Sequence, residues 1–182
     1  MQRTFNERSH LYLTGYRGSG KSTVARLLAH RLRRRLVDLD EAIESAAGMT
    51  IAEIFTNETE TGFRIRETEL LEQLSQTPAQ LISLGGGAIL RERNRRVIRR
   101  TGFCVWLDAA PDLIADRLSG DSTTRDRRPS LTGRPVLQEI RDVMAQREPL
   151  YRETADLRID TSGLSTEAVA DRIIAAVVPK NG

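Results

Sequence analysis

An eight-residue stretch near the start of the chain has the pattern of a phosphate-binding loop. Residues 15–22 read GYRGSGKS, which fits G-x-x-x-x-G-K-[S/T] at every fixed position. In this motif backbone N–H groups curl around a phosphate, Lys21 reaches the β- and γ-phosphates, and the Ser22 hydroxyl ligates Mg²⁺. Lys21 and Lys180, in the terminal tail, are the only lysines among 28 basic residues. The loop predicts a nucleoside triphosphate as ligand but does not specify the reaction.

Two carboxylates and three consecutive glycines follow later apolar runs. Asp38 and Asp40 end the second run, and strand alternation would place both on one side, one toward Mg²⁺ and one toward an acceptor hydroxyl. The alternative is that Asp40 merely caps a helix beginning at Glu41. The glycines at 85–87 follow the third run. They suit close approach of the backbone to a ligand or, alternatively, a flexible strand-to-helix turn.

Several arginines have ordinary structural explanations when they are taken singly. Arg64 lies three residues before Glu67, which indicates a surface ion pair worth about 0–1 kcal/mol. Arg147 lies near the end of a predicted helix, where a cation stabilises the helix dipole. Residues 91–100 contain six arginines but no interleaved aromatic residue. We interpret that run as a solvated helix face rather than a nucleic-acid surface.

The elements that must position these residues alternate between short apolar runs and amphipathic stretches, which is typical of an α/β fold with a parallel sheet. Strands are predicted at residues 10–14, 35–38, 80–83, 103–107 and 157–160. Helices are predicted at residues 21–33, 41–47, 51–56, 63–75, 91–100, 112–118, 136–150 and 166–177. Residues 40–76 form a helical appendage between two strands. Residues 120–135, rich in Gly, Arg, Asp and Thr, indicate a mobile loop.

Composition excludes several classes of protein. A chain of 182 residues and 20.4 kDa suits one domain spanning residues 1–182. The single cysteine, Cys104, allows no internal disulfide and indicates a reducing compartment, so we expect a cytoplasmic protein. A net charge of +3 is too small to indicate nucleic-acid binding, and no apolar run approaches the roughly 20 residues of a membrane span. We expect a monomer without nucleic-acid or membrane partners.

From Leu11 to about Asp160 the motifs resemble, in order and spacing, the shikimate kinase family, which has the nucleoside-monophosphate-kinase architecture. The matching segments are the phosphate loop, DLD at 38–40, IAEIF at 51–55, FRIRE at 63–67, the triple glycine, RPSL at 128–131 and REPLY at 147–151. Seven motifs in the right order are highly specific. The stretches at 62–67 and 128–133 look closer to the type II bacterial form. Thr59-Glu60 departs from the Gly-Glu that the family often has, and the insertion at 121–127 is longer than in the shortest family lids.

The resemblance implies a three-layer α/β/α fold around a five-stranded parallel sheet, with a helical substrate-binding region at about 40–76 and a mobile lid at about 120–135. It implies these catalytic residues: Lys21, Asp40 and Arg128. It implies these ATP-binding residues: Gly18, Ser19, Gly20, Lys21, Ser22, Thr23, Arg117 and Arg128. It implies these shikimate-binding residues: Asp40, Arg64, Gly85, Gly86, Gly87 and Arg147. Mg²⁺ would be held by Ser22 and, through its water shell, by Asp38, while residues 161–165 would complete the adenine pocket.

The activity that the resemblance implies is ATP-dependent phosphorylation of the 3-hydroxyl of shikimate, on the route to chorismate and the aromatic amino acids. Three alternatives stay open from the residues themselves. A gluconate-type or other small-metabolite kinase would share the phosphate loop. A nucleotide switch or nucleic-acid-binding NTPase is less favoured, because the chain has no Asn-Lys-x-Asp base-reading motif. A catalytically silent homologue is disfavoured because every motif position required for catalysis is filled.

Overall fold

The computed structural model describes residues 5–6, 8–120 and 136–178. The strands are β1 His10–Thr14, β2 Leu36–Asp38, β3 Leu81–Ser83, β4 Gly102–Asp108 and β5 Leu157–Asp160. The helices are α1 Lys21–Leu32, α2 Leu39–Ala47, α3 Ile51–Ser75, α4 Glu92–Thr101, α5 Pro111–Gly120, α6 Val136–Thr154 and α7 Thr166–Val177, with a 3₁₀ turn at Ala88–Leu90 that the sequence analysis missed. In the part of the chain described, no helix has the length and apolarity needed to cross a bilayer.

Side chains of the central strands divide the core between the two faces of the sheet. On one face, Leu11 and Leu13 pack with buried residues of α1 and α7. On the other face, Tyr12 and Cys104 pack with buried residues of α2, α3 and α4. Because both faces are covered, the strands appear in the sequence as continuous apolar runs rather than alternating ones. The predicted α/β/α layering is confirmed.

The strand order places the ends of three strands around one crevice. All pairings are parallel, in the order β2-β3-β1-β4-β5. The chain leaves β1 toward one edge and, after β3, crosses β1 to the other side. In sheets of this kind ligands bind beyond the carboxyl ends of the strands, where the order changes direction. The phosphate loop, the two aspartates and the triple glycine follow β1, β2 and β3, respectively.

The two helices expected at 51–56 and 63–75 together occupy α3, which begins at a capping box formed by Thr50 and Glu53 and is kinked at Thr59, inside the predicted gap. One predicted helix end is wrong. Helix α6 does not end at residue 150 but continues past Pro149 to Thr154. Tyr151 and Thr154 are buried, with 1% and 0% exposure. Their packing against the sheet offsets the cost of the proline in the helix.

Thr59 interrupts α3 with a backbone conformation that suits glycine. Its φ of 63° and ψ of 178° lie in a region that non-glycine residues rarely occupy. The side chain is exposed, so no packing requires a threonine there. The resemblance leads to the expectation of a glycine at this position, and the threonine found here leaves the backbone strained.

Replacing Thr59 by glycine is expected to stabilise the fold. The substitution relieves about 1–3 kcal/mol of strain and costs about 0.5–1 kcal/mol of backbone entropy, so the free energy of unfolding should rise by about 1 kcal/mol. Urea unfolding measures this change. Thr61→Gly is the matched control, because Thr61 is an exposed residue of the same helix and lacks the positive φ. The free energy of unfolding of Thr61→Gly should fall. A fall of the same size in Thr59→Gly would contradict the conclusion that the backbone at Thr59 is strained.

Candidate active site

The phosphate loop joins β1 to α1, and its lysine forms hydrogen bonds with the backbone at the start of the loop. Lys21 Nζ donates to the carbonyl oxygens of Gly15 and Tyr16, at 2.9 Å each. Gly20, at the N-cap of α1, has a φ of 92°, which favours glycine. No described side chain caps this helix end, so its N–H groups and the positive end of the helix dipole suit an anion.

A cleft of about 340 Å³ opens in front of this loop. Ten of the predicted site residues line it: Gly18, Gly20, Lys21, Ser22, Thr23, Asp38, Asp40, Gly85, Gly86 and Arg117. The structure therefore brings predicted phosphate-binding residues into one cavity with three of the predicted acceptor-binding residues, whereas Arg64, Gly87 and Arg147 do not line it. Ser19 does not line the cleft, because its side chain is buried behind the loop at 1% exposure.

The roles of Asp38 and Asp40 in secondary structure differ from the expectation. They are not successive outward residues of one strand, since α2 begins at Leu39. Asp38 is the N-cap, and its Oδ1 accepts from the backbone N–H groups of Asp40 (3.1 Å) and Glu41 (3.4 Å). The suggestion that Asp40 caps this helix is therefore wrong. Both carboxylates still line the same cleft, because the strand-to-helix turn directs them there.

Asp38 lies in a setting that makes ionisation of its carboxyl group less favourable than in an exposed aspartate. Burial raises the pKa of its carboxyl group, and the neighbouring carboxylate of Asp40 raises it further. The N–H of Glu41 and the hydroxyl of Ser83 oppose this rise. A divalent cation nearby would reverse the effect by stabilising the ionised form.

Asp40 sits against the first residue of the triple glycine. A Cβ atom added to Gly85 would lie 2.6 Å from Asp40 Oδ1 and 3.4 Å from Glu67 Oε1. Any larger residue would displace the aspartate, so the need for glycine here is steric. The close neighbours of Gly85 are side chains of the site, and the expected approach of its backbone to a ligand stays a prediction.

Arg64 is held by two acidic residues of its own helix. Its Nη1 donates to both carboxylate oxygens of Glu67, at 2.9 and 3.0 Å, and its Nη2 lies 3.2 Å from Glu60 Oε1. The pair with Glu67 is not the surface ion pair expected, since Arg64 is 12% exposed and Glu67 is 0% exposed. The guanidinium lies directly over Gly87. Arg64 does not line the cleft but an adjacent opening of about 330 Å³.

Arg147 approaches the same glycines from α6. Its Nη1 donates to the carbonyl oxygen of Gly86 at 3.2 Å, and its guanidinium lies 5.9 Å from the centre of the Tyr16 ring. Arg147 is therefore not merely a cation at a helix end. Arg64 and Arg147 both contact the triple glycine, Arg64 at Gly87 and Arg147 at Gly86.

Arg117 and Arg17 add positive charge on the phosphate side of the cleft. Arg117 Nη1 donates to the carbonyl oxygen of Gly18 at 3.0 Å. Arg17 lines the cleft and lies 3.8 Å from the buried Glu139. The sequence analysis missed Arg17, because it occupies a variable position of the loop motif. It also missed Ser83, whose position at the carboxyl end of β3 is the signal that could have identified it.

The donor set of the cleft fits a magnesium ion. The hydroxyl of Ser22 and the carboxylates of Asp38 and Asp40 line one cavity, and oxygen atoms are the ligands that Mg²⁺ prefers. The described residues contain no group of three or more His, Cys, Asp or Glu side chains that could hold a metal ion. A small number of protein ligands is what Mg²⁺ sites of this kind have. The ion is bound between a carboxylate and substrate phosphates, and it keeps several of its waters.

Some predicted site residues lie beyond what the structure describes. Arg128 and residues 121–135 of the predicted lid are outside the described residues, and Gly120 is the last residue of α5. Of the stretch expected to complete an adenine pocket, Thr161 is buried and donates through Oγ1 to the carbonyl oxygen of Asp108. That adenine role stays a prediction.

The arginine-rich helix is a solvated face, as interpreted from the sequence. Arg93 pairs with Glu72, Arg96 with Glu92, and Arg95 with Glu153. Arg91 donates instead to the carbonyl oxygen of Arg64 and to Thr68 Oγ1. These contacts join the segment 91–96 to α3 and α6.

A cavity of about 470 Å³ lies between α6 and the ends of β4 and β5, apart from the phosphate loop's cleft. The two arginines that line it are both in ion pairs. Arg158 pairs with Asp108 at 2.6 Å, and Arg141 pairs with Asp112 at 3.2 Å. Because these charges are already compensated, the smaller cleft is the better candidate for chemistry.

Comparisons with known proteins agree with this arrangement. The family model described as Shikimate kinase matches residues 17–178. A shikimate kinase of Rhodopirellula baltica is 58% identical over 167 residues, which cover 92% of this chain and 89% of that protein. Shikimate kinase 2 of Escherichia coli O7:K1 is 41% identical over 161 residues, covering 88% and 91%. A solved shikimate kinase from Acinetobacter baumannii, in complex with shikimate, is 39% identical, with a TM-score of 0.83 and coverage of 91% and 90%.

Proposed function

The chain belongs to the shikimate kinase family, and on that premise we propose that its cleft transfers the γ-phosphoryl group of ATP to the 3-hydroxyl of shikimate. The products are 3-phosphoshikimate and ADP, on the route to chorismate and the aromatic amino acids. The observation that carries the proposal is the single cleft lined by both Lys21 and Asp40. It supplies a phosphate-binding end and an acceptor-binding end within reach of one another.

On the phosphate side, the residues of this chain neutralise and position the transferred group. The N–H groups of the loop and of the α1 N-terminus bind phosphate oxygens. Lys21 exchanges its carbonyl acceptors for the β- and γ-phosphates, and Arg117 and Arg17 add positive charge beside them. Such groups accelerate phosphoryl transfer by stabilising charge in the transition state.

On the acceptor side, Asp40 accepts the proton of the 3-hydroxyl or orients that hydroxyl in line with the γ-phosphorus. Gly85 leaves just enough room for the carboxylate, so the position of Asp40 depends on the absence of a side chain there. A loose transition state demands little base strength from such a group.

The carboxylate of shikimate is assigned to Arg147, with Arg64 beside it. A guanidinium offers up to five N–H donors, and Arg147 uses one toward Gly86, which leaves others for a planar carboxylate. Arg64 is restrained by Glu67 and Glu60, and substrate would compete with the exposed Glu60 rather than the buried Glu67. Between Arg147 and Arg64, the acceptor would lie against the backbone of Gly85, Gly86 and Gly87.

Magnesium belongs to the proposal as the cation held by Ser22 and, through water, by Asp38. When bound, it supplies charge neutralisation for the β- and γ-phosphate oxygens. Thr23 and Ser19 complete the proposed ATP-binding set. Arg128, outside the described residues, stays a predicted phosphate ligand of a closing lid.

The remaining properties are proposals of the same kind. We infer one domain over residues 1–182, a monomer, and a cytoplasmic location, with ATP and shikimate as partners. Buried Cys104, which forms no disulfide, is compatible with a reducing compartment.

The position of the transferred phosphoryl group tests the proposal. The protein is incubated with Mg-ATP and shikimate, and the product is analysed by ³¹P and ¹H NMR. The proposal predicts a phosphate monoester coupled to the proton on C3. A phosphate on another hydroxyl would overturn the assignment of Asp40 to the 3-hydroxyl while retaining the kinase activity.

Removal of the Arg147 guanidinium is expected to weaken acceptor binding selectively. A charge-assisted contact contributes about 1.5–3 kcal/mol, so Arg147→Ala should raise the KM for shikimate about 10- to 100-fold. The KM for ATP should change less than about threefold, since Arg147 does not line the phosphate end. Steady-state kinetics with each substrate varied in turn measures the difference.

Arg152→Ala is the matched control for this variant. Arg152 lies on the same helix, where it forms an exposed pair with Glu148. Its loss should leave both KM values near those of the parent protein. An equal rise of both KM values in Arg147→Ala would indicate a structural arginine instead.

A further inference from the structure

Tyr151 ends the REPLY motif, yet the proposed mechanism gives it no role. It is 1% exposed and lies one turn after Arg147 on α6. Its hydroxyl donates to the carbonyl oxygen of Gly86 at 2.8 Å. This is the same oxygen that accepts from Arg147 Nη1 at 3.2 Å. A carbonyl oxygen has two lone pairs, so it accommodates both donors.

The ring of Tyr151 is fixed from the other side. It stacks on Trp106 with a centroid distance of 5.3 Å and an interplanar angle of 13°. Arg158 in turn covers Trp106, with its guanidinium carbon 4.8 Å from the ring centroid. Burial raises the pKa of Tyr151, with Arg147 opposing the rise, so the phenol stays protonated and remains a donor.

Gly86, to which this tyrosine donates, lines the cleft and lies next to the phosphate loop. A Cβ atom added there would lie 3.3 Å from the carbonyl oxygen of Gly15 and 3.4 Å from the nitrogen of Arg17. The phosphate loop has its own support, since Lys21 donates to Gly15 and Tyr16. The carbonyl of Gly86 accepts hydrogen bonds from two side chains of the described residues, Tyr151 and Arg147.

We propose that Tyr151 is a positioning residue, which fixes the Gly86 carbonyl and through it the guanidinium of Arg147 for the acceptor's carboxylate. The inference rests on the proposed function, because it assigns Arg147 to the carboxylate of shikimate. Without the tyrosine hydroxyl, the Gly86 carbonyl keeps Arg147 as its one donor shown, and Arg147 loses the hydroxyl that it contacts directly, so the guanidinium is less firmly placed. Binding of the acceptor then weakens, whereas ATP still meets an intact phosphate loop.

Tyr151→Phe removes the hydroxyl and retains the ring that packs on Trp106. A lost hydrogen bond of ordinary strength should raise the KM for shikimate about fivefold and leave the KM for ATP within about twofold. Tyr12→Phe is the matched control. Tyr12 is 0% exposed and its hydroxyl bonds Thr101 Oγ1 at 2.7 Å, away from the glycines. It should lose stability without a change in either KM.

A double-mutant cycle shows whether the tyrosine acts through Arg147. In an Arg147→Ala background, Tyr151→Phe should change the KM for shikimate by less than about twofold, because the two effects are coupled. A full fivefold effect in that background would overturn the positioning role. So would a Tyr151→Phe variant that behaves like Tyr12→Phe.

Amide hydrogen exchange without any ligand separates this inference from the proposed function. Tyr151→Phe should speed exchange in the segment 84–90, and Tyr12→Phe should not. Unchanged exchange in Tyr151→Phe overturns the inference whatever the enzyme phosphorylates. If exchange becomes faster but the protein does not phosphorylate shikimate, Tyr151 still anchors Gly86. The proposed function would then be refuted, and with it the role of that anchor in binding shikimate.

Discussion

Lys21→Ala should lower kcat by about 10³-fold, the largest loss expected for any single substitution in this protein. The ammonium group is the positive charge at the centre of the phosphate loop, and it holds the carbonyl oxygens of Gly15 and Tyr16 before ATP is bound. Its removal deprives the transferred phosphoryl group of charge compensation in the transition state. ADP release under saturating Mg-ATP and shikimate measures the effect.

The same variant must stay folded for the result to be informative. Loss of two hydrogen bonds should lower the free energy of unfolding by about 1–2 kcal/mol, which urea unfolding reports. Lys180→Ala is the control, because it removes the other lysine of the chain, and it should keep full activity. A folded Lys21→Ala protein with near-normal turnover would contradict the role assigned to the loop.

Asp40→Asn should lower kcat by about 10²-fold or more and raise the KM for shikimate less than tenfold. The amide keeps the size of the carboxylate and one acceptor oxygen, so it preserves the contact with Gly85 and part of the binding to the acceptor hydroxyls. It cannot accept the proton of the 3-hydroxyl. Rapid-quench measurement of the chemical step separates this loss from product release.

Asp171→Asn is the control for the change of charge. Asp171 is exposed on α7 and pairs with Arg31, so its replacement should leave kcat and KM unchanged. If Asp40→Asn lost less than about fivefold in kcat, the carboxylate would serve only to orient the hydroxyl. Of the two roles proposed for Asp40, acceptance of the proton would then be excluded.

Much of the fold was predictable because the informative patterns are local. A strand buried on both faces is mainly apolar, and Leu11, Tyr12 and Leu13 met that condition between the polar residues His10 and Thr14, so β1 was placed correctly. The phosphate loop was predictable because its glycines and lysine are required by phosphate geometry. The break in α3 was predicted as the gap between helices at 51–56 and 63–75, but the positive φ of Thr59 was not, since a threonine gives no local sign of a glycine-like backbone.

The site was harder to predict where its geometry depends on contacts between distant segments. Arg64 and Glu67 are three residues apart, and spacing alone cannot distinguish an exposed pair from one with a fully buried glutamate. Asp38 and Asp40 were placed in the right cleft by incorrect reasoning, because the strand ends earlier than its alternation suggested. The carbonyl of Gly86, shared by Arg147 and Tyr151, leaves no trace in sequence patterning.

The most direct test of the account is ADP release by the parent protein with Mg-ATP and one candidate acceptor at a time. The acceptors are shikimate, gluconate and nucleoside monophosphates, with an acceptor-free reaction as the baseline. The account predicts strong stimulation by shikimate alone. Stimulation by another acceptor, or ATP binding without stimulation by any of them, would contradict it.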